Sequence, residues 1–306
     1  MSPTGADSNP GTFERPFRTI QRAADVVVAG NTVTVRDGVY TDTGADGCPY
    51  PTVVCLKRPG TAAAPITFRA ENRWGAVVDG QNSVPDGFNW AAGASYNVVD
   101  GFTVQGLRTS GGSVSAFELF NGGLGSKILN NNIRDIGRST TNTSNGQVGV
   151  FTDQDGVTIQ GNYFHEIGRL NDDMQHDHGI YLNDGDNVAV RDNYFEDIDR
   201  GWGLQVYPGG SANVTVSGNK FVGGFSNRGY MHVILGANFT GQMNNNVFWA
   251  ASPSQTMTDF RGIFTVSFNN NATTGAAWSD RGGLPLGFVG LGNVLSAQIP
   301  RPPPPR

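Results

Sequence analysis

Residues 171–181 (N-D-D-M-Q-H-D-H-G-I-Y) form the densest cluster of reactive side chains in the chain. Three of the four histidines, His165, His176 and His178, fall in or beside it, together with Asp172, Asp173 and Asp177. An imidazole next to the Tyr181 phenol supplies a base and an acid for proton transfer, so Tyr181, His178, His176 and Asp177 are the expected catalytic groups. Asp172 and Asp173 offer oxygen ligands of the kind that suit calcium. The H-x-H spacing gives two ligands from an extended segment without being a specific zinc pattern. A structural alternative stands beside the catalytic one, because His178 shares the parity of Ile180 and would pack near Trp202.

The element that must position these groups is a repeat. The phrase V-x-I-x-x-N-x-F recurs as V-T-I-Q-G-N-Y-F from Val157, V-A-V-R-D-N-Y-F from Val188 and V-T-V-S-G-N-K-F from Val214. Looser copies precede and follow it, and the asparagines Asn131, Asn162, Asn193, Asn219 and Asn246 fall at intervals of 31, 31, 26 and 27 residues. Repeats of this size built from short alternating strands specify a β-solenoid. Each coil reads as three strands: one before the asparagine, one after it, and one after a variable loop, the last exemplified by V-G-V-F at Val148 and H-G-I-Y-L at His178. Period-2 alternation sends Val157, Ile159, Phe164, Ile167, Ile180 and Leu182 inward. The stacked asparagines form an amide ladder that satisfies a buried polar turn. Arg138, Arg169 and Arg200 recur at the same 31-residue spacing, as do Asp135, Glu166 and Asp197. They read either as an ion-pair ladder or as substrate contacts.

Composition agrees. Glycine is 43 of 306 residues and only 15% of residues are charged, as a chain with several turns per coil requires. The net charge of −5 and pI near 5.3 exclude nucleic acid as a natural partner. No apolar run approaches the roughly 18 residues of a membrane span. Cys48 and Cys55 fit a short disulfide and an oxidising compartment, with two free thiols as the alternative. Residues 1–298 are expected to be one β-helix domain with a cap at about 13–30, in which residues 16–24 form a short helix carrying Phe17, Ile20 and Ala24 on one face. Residues 299–306 read as the remnant of a Pro-rich linker, to which a further module attaches. The polar start suggests a removed leader. A secreted monomer is expected.

The string R-P-F-R-T-I-Q-R-A-A, followed by V-A-G-N-T-V-T-V-R-D-G-V-Y and G-T-A-A-A-P-I-T-F-R-A, resembles the N-terminal segment of right-handed parallel β-helix proteins. That superfamily includes pectate and alginate lyases, some glycoside hydrolases and uronan epimerases. The resemblance is close from Gly11 to about Gly80 and continues by repeat pattern. It implies an all-β fold, a right-handed single-stranded parallel β-helix of three strands per coil with an Asn ladder and an N-terminal capping helix. It also implies a substrate groove on the sheet after the variable loop. Alternation then places Glu118, Val150, Tyr181, Asn183, Gln205, Tyr207, His232 and Ile234 outward, a mixture of rings, amides and a carboxylate suited to a sugar polymer. Glu118, Arg138, Arg169, Arg200, Asn183, Gln205, Tyr207 and His232 are the expected substrate contacts.

Three reaction classes follow. β-Elimination on a uronate polymer needs a cation to neutralise the carboxylate, a base and an acid. Pectate lyases of this shape use calcium with lysine or arginine. The three lysines, Lys57, Lys127 and Lys220, lie away from the expected groove, which departs from the lysine-dependent pattern and leaves the arginines, a histidine or Tyr181 to act. Hydrolysis needs two flanking carboxylates, available from Asp172, Asp173, Asp177 and Glu118. A binding module needs neither. A secreted polysaccharide lyase is the leading expectation, with hydrolase and non-catalytic binding as alternatives.

Overall fold

The structure is a computed structural model that describes residues 1–42, 47–140, 145–170, 176–223, 233–237, 239–250, 259–260, 265–274, 288–296 and 298–306. Among these, every paired strand is parallel, and the strands stack into sheets of ten, ten and eight members wound as a right-handed solenoid. The first sheet holds strands that precede each asparagine, such as Thr158–Gln160. The second holds those that follow it, such as Tyr163–Ile167, and the third those after the variable loop, such as His178–Leu182.

The ladder runs as the spacing predicts and extends further. Asn131, Asn162, Asn193, Asn219 and Asn246 are buried, and each Nδ2 donates to Oδ1 of the next at 3.0–3.1 Å. Asn271 and Asn293 continue the column. Each Oδ1 also accepts a backbone N–H from the preceding coil, as Asn162 does from Asn131 at 2.9 Å. Removing one such side chain would strand a buried N–H at a cost of about 1–3 kcal/mol. Beneath the ladder, Phe164, Phe195, Phe221 and Phe248 stack with centroids 4.7, 4.7 and 5.1 Å apart. Val157, Ile159, Ile167, Ile180 and Leu182 are all fully buried, as alternation requires.

The cap is a helix at Ile20–Val26, beginning later than the pattern predicts. Thr19 is its N-cap, accepting from the Arg22 amide, and Asp7 in turn accepts from the Arg18 and Thr19 amides. Those capping bonds fix the start, so Phe17 packs on the core from the preceding loop. Ile20, Ala23 and Ala24 face the first coil. Cys48 and Cys55 are disulfide-bonded, which ties the loop carrying Tyr50 and Pro51 to the first strand of the third sheet, Thr52–Leu56. No helix among the described residues is long and apolar enough to cross a membrane.

One feature of the third sheet departs from simple alternation. Its strands enter through the phrases D-G-F-N (Asp86), S-A-F-E (Ser115), V-G-V-F (Val148) and H-G-I-Y (His178), aligned in register. A Cβ on Gly149, Gly179 or Gly203 would meet Phe164, Phe195 or Phe221 at 2.7, 2.8 and 2.7 Å, so the glycines face the core. The following residues, Val150, Ile180 and Leu204, are buried as well. Val150, expected outward, pairs in register with the inward Ile180 and lies in the core, while Phe151, in register with Tyr181, takes the outer face.

Candidate active site

The outer face of the third sheet carries one register column: Asn89, Glu118, Phe151, Tyr181 and Gln205. Phe151 meets Tyr181 edge to face at 5.2 Å and Phe120 at 6.0 Å, giving a row of rings along the solenoid. Burial raises the Tyr181 phenol above its ordinary pKa, partly offset by a hydrogen bond with Gln205. Asn183 and the exposed Tyr207 follow two residues further along their strands. Glu118, Tyr181, Asn183, Gln205 and Tyr207 thus share the predicted face, with Gln205 nearly covered.

Of the predicted catalytic groups, Tyr181 lies on this face, and His178 and Asp177 lie beneath it. His178 is 2% exposed, stacks on Trp202 with centroids 5.0 Å apart, and accepts from the Trp202 amide on Nδ1. Desolvation holds its pKa down at about 3. It shares the inward parity of Ile180 and is held neutral in the core, with its ring edge to face with that of Tyr181 at 5.7 Å. Asp177 is fully buried and accepts from Arg169 Nη2 on Oδ1 and Arg200 Nη1 on Oδ2, both at 2.7 Å, and from the Gln147 and Arg169 amides. Arg169 and Arg200 are 2% and 6% exposed, so neither meets substrate. Arg138 is spent on Asp197 and Asp199. The 31-residue arginine column is an ion-pair system, and its acidic companions Asp135, Glu166 and Asp197 occupy left-handed turns with φ of 52°, 54° and 50°. His176 is partly exposed beside His178. Asp172, Asp173 and His232 lie outside the described residues.

The groups best placed for chemistry are a pair of carboxylates, one of which sequence reasoning missed. Asp86 sits one coil before Ser115, in register with it, and Asn89 is in register with Glu118. Ser115 Oγ donates to Glu118 Oε2 at 2.6 Å, and Asn89 Nδ2 donates to Asp86 Oδ2 at 2.8 Å. Burial raises the Asp86 carboxyl well above the usual carboxylate range, opposed by Asn89 and the Ser115 amide. Burial, and then repulsion by Asp86, raises Glu118 likewise, opposed by the Ser115 hydroxyl. With no cation among these partners, burial and mutual repulsion push both carboxyls toward the protonated form.

Asp86 and Glu118 open into a cleft of about 490 Å³ lined also by Tyr50, Phe120, Asn145 and Phe151. The missed signal was the phrase alignment: D-G-F-N places Asp86 where H-G-I-Y places His178, so both first positions belong beneath the sheet surface. A buried acid with no arginine in its phrase is the anomaly that marks the site.

Calcium is implied by the resemblance, and its expected ligands Asp172 and Asp173 lie outside the described residues. No group of three or more His, Cys, Asp or Glu side chains among the described residues is arranged to hold a metal. The oxygens of Asp177 are taken by guanidinium groups, while Asp155 and Asp186 accept backbone amides of the next coil at 2.8 Å, as tight Asp-Gly corners do. Residues 299–306, expected as a free linker, lie back along the second sheet. Tyr194 Oη donates to the Pro302 carbonyl at 2.8 Å and Arg301 pairs with Glu196 at 2.7 Å.

The chain belongs to the Pel9A-like right-handed β-helix family, whose model matches residues 1–153, and a general right-handed β-helix model matches residues 87–248. Among curated proteins it is 31% identical over 150 residues to the uncharacterized protein YwoF of Bacillus subtilis, 44% of this chain. It is 35% identical over 81 residues, 26% of this chain, to pectate lyase PEL9 of Emericella nidulans. These matches span 28% and 18% of the relatives' own lengths. The solved pectate lyase Pel9A superposes with a TM-score of 0.65 at 16% identity, covering 97% of this chain and 76% of that one. Glycoside hydrolases share the fold too.

Proposed function

We propose that the protein is an extracellular polysaccharide-cleaving enzyme that hydrolyses glycosidic bonds with Asp86 and Glu118 as its acid–base pair. The observation that carries this reading is the pair itself: two carboxylates joined through Ser115, both shifted toward the protonated form, at the wall of a groove floored by rings. Such uncompensated buried acids concentrate at active sites. The pair donates its retained proton to the leaving glycosidic oxygen as the C–O bond breaks. Water adds hydroxide to the sugar carbon and returns a proton to the pair. Tyr181, Phe151 and Phe120 stack against sugar C–H faces, and Gln205, Asn183 and Tyr207 meet hydroxyl groups.

A second reading, elimination on a uronate polymer, is favoured by the likeness to pectate lyases. Tyr181 is the proton-transfer group it would use, and it requires a cation at the substrate carboxylate. Incubating the intact protein with a polysaccharide panel separates the two. New reducing ends without the ultraviolet absorbance of an unsaturated product, lost in Glu118→Gln, are expected. Unsaturated product would replace hydrolysis by elimination. An active Glu118→Gln variant would remove the pair from the mechanism.

A further inference from the structure

We propose that the outer face of the second sheet is a recognition site for an arginine-flanked polyproline segment, filled in this chain by its own residues 299–306. The site lies on a different sheet from the acid pair and stands independently of the hydrolytic reading.

Four consecutive prolines, residues 302–305, lie between Arg301 and Arg306. Their fixed φ and missing N–H groups bias such a run to polyproline II, which has three residues per turn and leaves its carbonyls free to accept. Burial follows that period. Ile299, Pro302 and Pro305 are half-buried, whereas Pro300, Arg301, Pro303, Pro304 and Arg306 are exposed. One edge of a three-fold helix therefore rests on the solenoid, as it does when an aromatic groove takes a proline-rich ligand.

That edge meets a row of rings. Tyr163 and Tyr194 are in register on neighbouring strands with centroids 5.5 Å apart, and Trp74 lies 6.2 Å from Tyr163. Tyr194 shares its register column with the exposed Lys220, yet it is only 3% exposed itself. Its phenol donates to the Pro302 carbonyl at 2.8 Å. Aromatic grooves read polyproline with this chemistry, setting rings against the pyrrolidines and donors on the carbonyls.

The flanking arginines fix both ends. Arg301 pairs with Glu196 at 2.7 Å and lies over the Trp249 ring, 5.7 Å from its centroid. Glu196 also accepts from the Tyr163 phenol, so one carboxylate joins the row of rings to the arginine. At the other end Arg73 donates to the Arg306 carbonyl at 2.8 Å. A polyproline helix advances about 3.1 Å per residue, so the step from 301 to 306 covers about 15 Å, or about three coil spacings. An ion pair as exposed as Arg301–Glu196 contributes at most about 1 kcal/mol. The rings and the Tyr194 hydroxyl, rather than charge, therefore select proline.

The test is electron paramagnetic resonance of the intact chain, spin-labelled at position 306 through Arg306→Cys, which keeps the backbone carbonyl that Arg73 holds. Cys48 and Cys55 are bridged and leave no competing thiol. The expected line shape is broad and independent of protein concentration. Tyr194→Phe combined with Glu196→Gln keeps both side-chain shapes, and an unchanged thermal midpoint checks its fold. That variant should shorten the correlation time of the label several-fold, and replacing residues 302–305 by alternating glycine and serine should do the same with Arg301 kept. A sharp, freely tumbling line in the parent chain overturns the proposal, as does a line that stays broad after either change. A broad line that sharpens on dilution would move the segment onto a second copy and overturn its filling of the site in cis.

Discussion

Two buried carboxylate centres sit at the entry to strands of the same sheet, three coils apart, and their surroundings are opposite. Asp177 is wholly enclosed, and two guanidinium groups and two backbone amides satisfy it. Asp86 and Glu118 have the Asn89 side-chain amide, the Ser115 backbone amide and hydroxyl, and each other, but no cation. Burial of charge is tolerated when it is paired and hydrogen-bonded, and otherwise shifts the group toward neutrality. The first centre therefore ties the coils together around the variable loop, and the second is pushed toward the protonated form at the groove. The comparison shows that Asp177, at the heart of the richest cluster of reactive residues in sequence, has its charge cancelled by Arg169 and Arg200.

The largest expected effect lies at the uncompensated centre. Glu118→Gln or Asp86→Asn should lower the rate of reducing-end release by about 10²–10⁴-fold while the thermal midpoint holds or rises. A rate near that of the parent protein would contradict the comparison. At the compensated centre the effect should fall on stability. Asp177→Asn leaves two buried guanidinium groups short of a partner and should cost about 3–5 kcal/mol in urea unfolding, with the folded fraction still active. A negligible loss there would mean that the network is not a lock.

The pH dependence sharpens the contrast. The folded-state pKa values of Asp86 and Glu118 lie above their unfolded values, so the folded state binds the proton more tightly. Their contribution is present below the ordinary carboxylate range and is lost as pH rises toward the raised values. Unfolding free energy should therefore decline from mildly acidic toward alkaline pH, and Glu118→Gln should flatten that slope. An unchanged slope would place the ionisation elsewhere. The smallest effect is expected at the rings. Phe151→Ala should raise KM by roughly fivefold, the equivalent of about 1 kcal/mol of aromatic contact, without moving the pH profile.

Much of the fold was legible because each coil repeats a local instruction. Asn162 and Asn193, with Val157 and Ile159 before them and Phe164 after, need only their own phrase to reveal which side is core. The helix start was less legible, since its boundary depends on Asp7 and Thr19 meeting across a loop. Tyr181 and Glu118 were found on the groove face because alternation from a buried neighbour reaches them. Val150 was misplaced because its register partner in the next coil is Ile180 and not Tyr181, a pairing set across a loop of variable length.

The amino-acid sequence by itself determined the coil, the ladder and the parallel stacking, because these follow from side-chain period and spacing within single repeats. Only the tertiary structure decided which acids are neutralised. Asp177 meets Arg169 and Arg200, and Asp86 meets no cation, through contacts between coils whose loops differ in length. Whether a buried carboxylate becomes a structural lock or a proton store depends on the groups brought to within a few ångströms of it, and those arrive from elsewhere in the chain.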